Sequence, residues 1–168
     1  MRRLSYGIPC LIVAVALYFV AAFGREALHI LTSPVYGLDH KSFARAVHDL
    51  GRLADLGPSG LVKLAAFLGA IKLSVAVVFA IHVGDRLRTL AGGTVNYDLL
   101  DAGVVLVVVS TFLSAAPALL EATPQFFNEH RPALWLAGLA ATLSLAERVA
   151  HSEEAPAQSR TADLRKPK

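Results

Sequence analysis

The chain has 168 residues, of which 55% are hydrophobic and only 17% charged. A soluble domain carries about 25% charged residues. The deficit excludes a disordered chain and argues against a soluble enzyme or a nucleic-acid-binding domain; it points to a small polytopic membrane protein.

Lys and Arg total 16 and Asp and Glu 13, a net charge of +3. The basic residues lie at the chain ends and in loops, not in one patch interleaved with aromatics. They therefore read as a topology signal. One cysteine, Cys10, sits inside an apolar run. It cannot form an internal disulfide, and a buried, inert thiol is expected.

A bilayer-crossing helix needs about 20 mostly apolar residues. Residues 4–23 are uncharged and fit a first span. Residues 61–83 fit a second, interrupted by Lys63 and Lys72. Residues 99–120, uncharged after Asp101, fit a third. The fourth, 132–150, is the weakest, because its apolar part from Pro132 to Ala146 makes only about 22 Å of helix. Trp135 would anchor one interface, and Glu147 and Arg148 would snorkel at the other. A rival reading takes Met1-Arg2-Arg3 and Val20-Ala21-Ala22 as the ends of a signal peptide, but the apolar run is long for that.

Between the first two spans, residues 39–56 alternate with helical period. Phe43, Val47, Leu50 and Ala54 make one stripe; Lys41, Arg45, His48, Arg52 and Asp55 make the opposite one. This predicts an amphipathic helix in the first external loop, lying on the membrane or over the bundle. Asp39 is placed to cap its start and Gly57-Pro58 to end it. Gly51 should weaken it by roughly 1 kcal/mol relative to Ala. Residues 152–168 are polar and read as a disordered cytoplasmic tail, after a membrane domain of residues 1–151.

Orientation follows from Lys and Arg in the short segments. Arg2, Arg3, Arg86, Arg88, Arg148, Arg160, Arg165, Lys166 and Lys168 fall on one side; the other short loop offers Arg131 beside Glu121 and Glu129. The positive-inside rule places both termini in the cytoplasm. Small residues spaced by four recur at Ala65 and Gly69, at Ser110 and Ser114, and at Ala133, Ala137 and Ala141, which favours close helix approach. Pro117 removes a hydrogen bond from the third span and is placed to kink it.

Three residues stand out as a candidate substrate or ion pathway: Lys72, Asp101 and His82. Lys72 lies midway along the second span, where a charge costs about 2.5–3.5 kcal/mol on insertion scales. It should face the bundle, either as an ion, proton or anionic-substrate site or as a packing lysine. Asp101 is the nearest acid within a span, but a direct pair would need stem bending or a water. His82 belongs to a cluster at the cytoplasmic span ends with Asp85, Arg86, Arg88, Asp98, Asp101, Glu147 and Arg148. Such mixed charges read as interfacial salt bridges of small value, or as a gated mouth.

Outside, Glu26-Ala27-Leu28-His29 has the E-x-x-H spacing of di-iron bundles, but one copy is not enough for a metal site. His40, His48 and His130 add no partner motif. There is no G-x-S-x-G, Walker loop or H-E-x-x-H. Gly92-Gly93 reads as a turn.

The expectation is therefore an all-α, integral membrane four-helix bundle with an extra amphipathic helix. It is read as a non-enzymatic accessory or scaffold protein of a bacterial inner membrane, without metal or cofactor. Its surroundings are the lipid bilayer and a membrane-protein partner or further copies of itself, not nucleic acid. The alternatives are an oligomeric small-solute or ion transporter or channel using Lys72, and a quinone- or lipid-handling enzyme with His82, Asp85 and Arg86.

Overall fold

The computed structural model describes residues 7–89, 97–120 and 131–149. Every regular element among them is a helix: α1 (Gly7–Thr32), α2 (Lys41–Leu53), α3 (Pro58–Thr89), α4 (Asp98–Leu120) and α5 (131–149). Three of these, Gly7–Thr32, Pro58–Arg88 and Asp98–Ala116, are long and apolar enough to cross a membrane. The expected fourth span forms a helix, α5, that is not among those three. The expected tail, the Gly92-Gly93 turn, and Glu121, Glu129 and His130 lie outside the described residues.

The helices are longer than the apolar runs that nucleate them. α1 runs through Val20-Ala21-Ala22 and on to Thr32, taking Arg25 and Glu26 with it. Nothing in Gly24-Arg25-Glu26-Ala27 breaks a helix strongly, and propagation adds a hydrogen bond per residue once a helix exists. α3 reaches 32 residues against the expected 61–83. It begins at Pro58, whose missing N–H is one of the orphan donors of a first turn anyway, and ends with Arg86 and Arg88 near its negative pole. α4 opens with Asp98 and Asp101 at its positive pole and continues past Pro117.

α2 differs at both ends from expectation. Asp39 does not cap it; His40 holds the cap position without a side-chain capping bond to the helix, and Asp39 accepts the Ser33 hydroxyl at 3.2 Å instead. The helix stops at Leu53, before Gly57-Pro58 is reached. The Asp55 amide donates to the Arg52 carbonyl and the Leu56 amide to the Gly51 carbonyl. Asp55 takes the left-handed conformation, φ 51°, as this kind of C-terminal cap demands. Asp tolerates that conformation better than most residues, so the helix ends without glycine.

The contacts set the directions. Phe19 stacks on Phe79 at 4.9 Å, Gly24 faces Ala76, and Gly69 faces Ile30, so α1 and α3 are antiparallel. Gly103 faces Phe79, while Leu113 shares a cluster with Leu68, so α4 is antiparallel to α3. Ala137 and Ala140 join Val75 and Phe79 in the main core, and Glu147 lies beyond them near Arg86, so α5 runs with α3.

Two hydrophobic clusters result. The larger holds Ile12, Val15, Ala16, Phe19, Val75, Phe79, Leu100, Val107, Ala137 and Ala140. The smaller joins Val47 of α2 to Ala65 and Leu68 of α3. The buried face of α3 follows a 3–4 spacing through Ala65, Leu68, Val75, Phe79, His82 and Arg86, with Lys72 in register between the clusters. On α5 the buried small residues are Ala137, Ala140 and Ser144 rather than a strict spacing of four, because a straight helix drifts off that spacing. Cys10 is exposed, contrary to expectation, because it lies opposite the Ile12, Ala16 and Phe19 stripe.

A Cβ on Gly103 would sit 2.9–3.2 Å from three atoms of the Phe79 ring. That ring is fully buried and stacked, so it has little room to give. Gly103→Ala should destabilise the fold by about 1–3 kcal/mol, the usual range for overpacking. A Cβ on Gly84 meets nothing within 4 Å. Gly84→Ala should therefore be neutral or stabilise by up to about 1 kcal/mol through helix propensity. Thermal melting of both variants in one detergent checks the pair of predictions.

Candidate functional site: charges on the packed face of α3

α3 carries three polar side chains on the face it buries: Lys72, His82 and Arg86. In a low-dielectric interior each needs a partner. The structure supplies partners for two of them from other helices.

Lys72 meets Glu26 of α1, Nζ to Oε2, at 2.5 Å. The ammonium is also 5.7 Å from the centre of the Phe43 ring of α2, within cation–π range. Three helices thus converge on one lysine. The sequence offered no acid at this depth because α1 was expected to stop at residue 23. With α1 continued to Thr32, Glu26 comes level with Lys72. The Lys72 side chain is 15% exposed and that of Glu26 56%, so solvent screens one end of the pair.

Asp101 does not approach Lys72. It binds Arg148 of α5 at 2.6 Å, with both side chains 40–50% exposed. His82 lies nearer to Asp101 than to Lys72 along the bundle, in a cluster built where α3 and α5 end and α4 begins. At its centre Arg86 makes a double hydrogen bond to Glu147: Nη1 to Oε1 at 2.9 Å and Nη2 to Oε2 at 2.6 Å. Both side chains are about 95% buried. This is the planar fork geometry that favours arginine over lysine.

Tyr97, just before α4, joins the two arginines. Arg86 lies 5.2 Å and Arg148 5.0 Å from its ring centre. Burial, and then the nearby Glu147 carboxylate, push the Tyr97 phenol above its ordinary value of 10.0. The phenol stays neutral at ordinary pH, so its ring face serves the cations. From the cluster read in the sequence, Arg86 meets Glu147 and Asp101 meets Arg148, while Tyr97, which joins them, was missed. The sequence also presents these charges as weak surface pairs. That holds for Arg88 with Asp85 at 3.9 Å, where Arg88 is 86% exposed, and fails for Arg86 with Glu147.

His82 and Ser144 lie one turn before Arg86 and Glu147 respectively. Both are buried, and among the described residues neither imidazole nitrogen, nor the Ser144 hydroxyl, has a hydrogen-bond partner. An unsatisfied buried polar group costs about 1–3 kcal/mol. These two positions, with the buried Tyr97 hydroxyl, are places where this fold gives up stability.

The E-x-x-H pair of α1 is split in use. Glu26 serves Lys72, while the His29 ring lies edge-on to His40 at 5.9 Å. Among the described residues no three His, Cys, Asp or Glu side chains gather as a metal site would require.

No family model, no curated protein and no solved structure matches this chain. What the fold itself shows is the class: an all-helical chain with three helices able to cross a membrane, which points to a membrane protein.

Removing one partner of the buried pair leaves the other charge stranded. Glu147→Gln should cost about 3–5 kcal/mol, and Arg86→Met with Glu147→Leu should recover most of that loss. Asp101→Asn, at a half-exposed pair, should cost at most about 1 kcal/mol. His82→Phe removes an orphaned polar ring and should raise the melting temperature. Denaturation in detergent ranks these four variants, and the reverse order would refute the burial argument.

Proposed function

We propose that this chain is a non-enzymatic accessory or scaffold protein of a membrane, acting through helix–helix contacts. The observation that carries the reading is the use of its charge. Glu26–Lys72 joins α1 to α3, Arg86–Glu147 joins α3 to α5, and Asp101–Arg148 joins α4 to α5. Lys72 and Asp101, two of the pathway candidates, are thereby engaged in fastening helices. The buried Arg86–Glu147 pair adds little net stability and serves to specify that α3 meets α5.

The outer faces fit a lipid or helix environment. Leu17, Val77, Ile81, Val105, Val109 and Leu145 are exposed large apolar residues along the candidate spans and α5. Without a bilayer or a partner helix such a surface would aggregate.

The proposed topology is four crossings with both termini in the cytoplasm of a bacterial cell, in its inner membrane. α5 supports a fourth crossing: its 131–149 extent gives about 28 Å, close to the hydrocarbon thickness. Its Ala137 and Ala140 lie in the same core as the candidate spans. α2 is proposed as the amphipathic helix of the first external loop, with Val47 turned into the bundle.

A second reading, an oligomeric solute or ion transporter, draws on one observation, the buried ring of His82, whose nitrogens have no hydrogen-bond partner among the described residues. Affinity purification from native membranes, combined with flux measurements in liposomes, separates the two. The accessory reading expects a stoichiometric membrane-protein partner and no flux. A pure homo-oligomer whose ion flux is lost in Lys72→Met or His82→Phe would overturn it. Labelling single cysteines placed in a Cys10→Ala background, at Asn128 and at Ser159, checks the topology. The proposal expects external access at Asn128 and cytoplasmic access at Ser159.

A further inference from the structure

We propose that an exposed cationic strip on α1 and α2 binds the headgroups of anionic lipids. This rests on the membrane reading above and adds a ligand to it.

The strip is continuous. Arg25 and His29 lie one turn apart on α1. The His29 ring meets the His40 ring edge-on at 5.9 Å. Lys41 follows His40 in the chain, and Arg45 lies one turn further along α2. All five residues are exposed. Glu26 is paired with Lys72, which leaves Arg25, Lys41 and Arg45 set against the carboxylates of Asp39 and Asp49. The strip therefore presents a surplus of positive charge.

Its level matches the edge of a bilayer. From Gly7 to Gly24, α1 is uncharged and about 27 Å long, close to the thickness of the hydrocarbon core. Arg25 is the next residue, and it emerges where phosphates begin. The strip also marks the boundary between the two hydrophobic clusters, since the Glu26–Lys72 pair adjoins it.

The chemistry selects a lipid over a soluble acidic partner. On the hydrocarbon side of Arg25, Tyr18 and Leu11 lie two and four turns away on the same face of α1 and are 47% and 53% exposed. A phosphate on the cations with acyl chain along this apolar shelf matches both halves of an amphiphile. An acidic peptide would use only the cations. Each Lys or Arg at a membrane surface adds to attraction for anionic lipid, and the effects combine.

The test uses the full chain in nanodiscs of phosphatidylcholine with a rising share of phosphatidylglycerol. Lipid retained on transfer to neutral detergent is counted by native mass spectrometry. The wild type should retain phosphatidylglycerol above its bulk share. The triple variant Arg25→Gln, Lys41→Gln, Arg45→Gln should retain at least about tenfold less, given three lost surface charges. Arg88→Gln, an exposed cation at the far end of α3, should retain the wild-type amount. Circular dichroism and melting accompany each variant. If the triple variant does not fold, Lys41→Gln and Arg45→Gln alone should each lower retention several-fold. Wild-type retention in the folded variants would overturn the proposal, as would an equal loss in Arg88→Gln. Strip-dependent binding of a polyglutamate peptide to pure phosphatidylcholine discs would overturn it in favour of an acidic protein. Release of the wild type from membranes by alkaline carbonate would instead sink the membrane reading itself.

Discussion

The constraint on which the rest of this structure depends is that α3 packs with the face that carries its charge. Lys72 and Arg86 fall on the same 3–4 spaced stripe as Ala65, Leu68, Val75 and Phe79. Arg86 must be answered from another helix because it is almost fully buried, and Lys72, mostly buried, is answered at the solvent-facing end of α1. Glu26 answers from α1 and Glu147 from α5. Helix order and register are therefore set by polar matching, while close approach is left to small residues. Gly69 against Ile30, Gly103 against Phe79, and Ala137 with Ala140 supply that approach.

The two pairs are not equivalent. Arg86 and Glu147 are almost fully buried and bound by a two-pronged fork. Lys72 and Glu26 make a single contact with one end in solvent. The first behaves as a latch between α3 and α5, costly to break and reinforced by the Tyr97 ring. The second is a single tie between the clusters, with Phe43 of α2 over the lysine. Beside the latch, His82 and Ser144 hold unmet polar atoms. The buried Tyr97 hydroxyl is a third such group among the described residues, so the unmet polar atoms gather around the latch.

Much of this was legible in the sequence, and the failures share a cause. The apolar runs, the helix around residues 41–53, and the meeting of charges at the ends of α3, α4 and α5 could all be read from spacing. Helix ends could not. Reading α1 as ending at Phe23 moved Glu26 into a loop and left Lys72 without an acid. Reading Asp39 as a cap overlooked Ser33, whose hydroxyl claims that carboxylate. Gly51 looked like a weakness of α2, yet a Cβ there would press on Leu61, so the missing side chain lets α2 seat against α3. In each case a partner distant in sequence decided the matter.

The sequence by itself determined the class of this protein and the location of its scarce charge. Low charge and long apolar runs admit helices that satisfy their own backbone in lipid, and little else. The tertiary structure alone decided what each charge does. Lys72 binds Glu26 rather than Asp101, Asp101 binds Arg148, and Arg86 with Glu147 is buried rather than interfacial. The physical reason is that helical periodicity specifies which way a side chain points, but not the register of the neighbouring helix that comes to meet it.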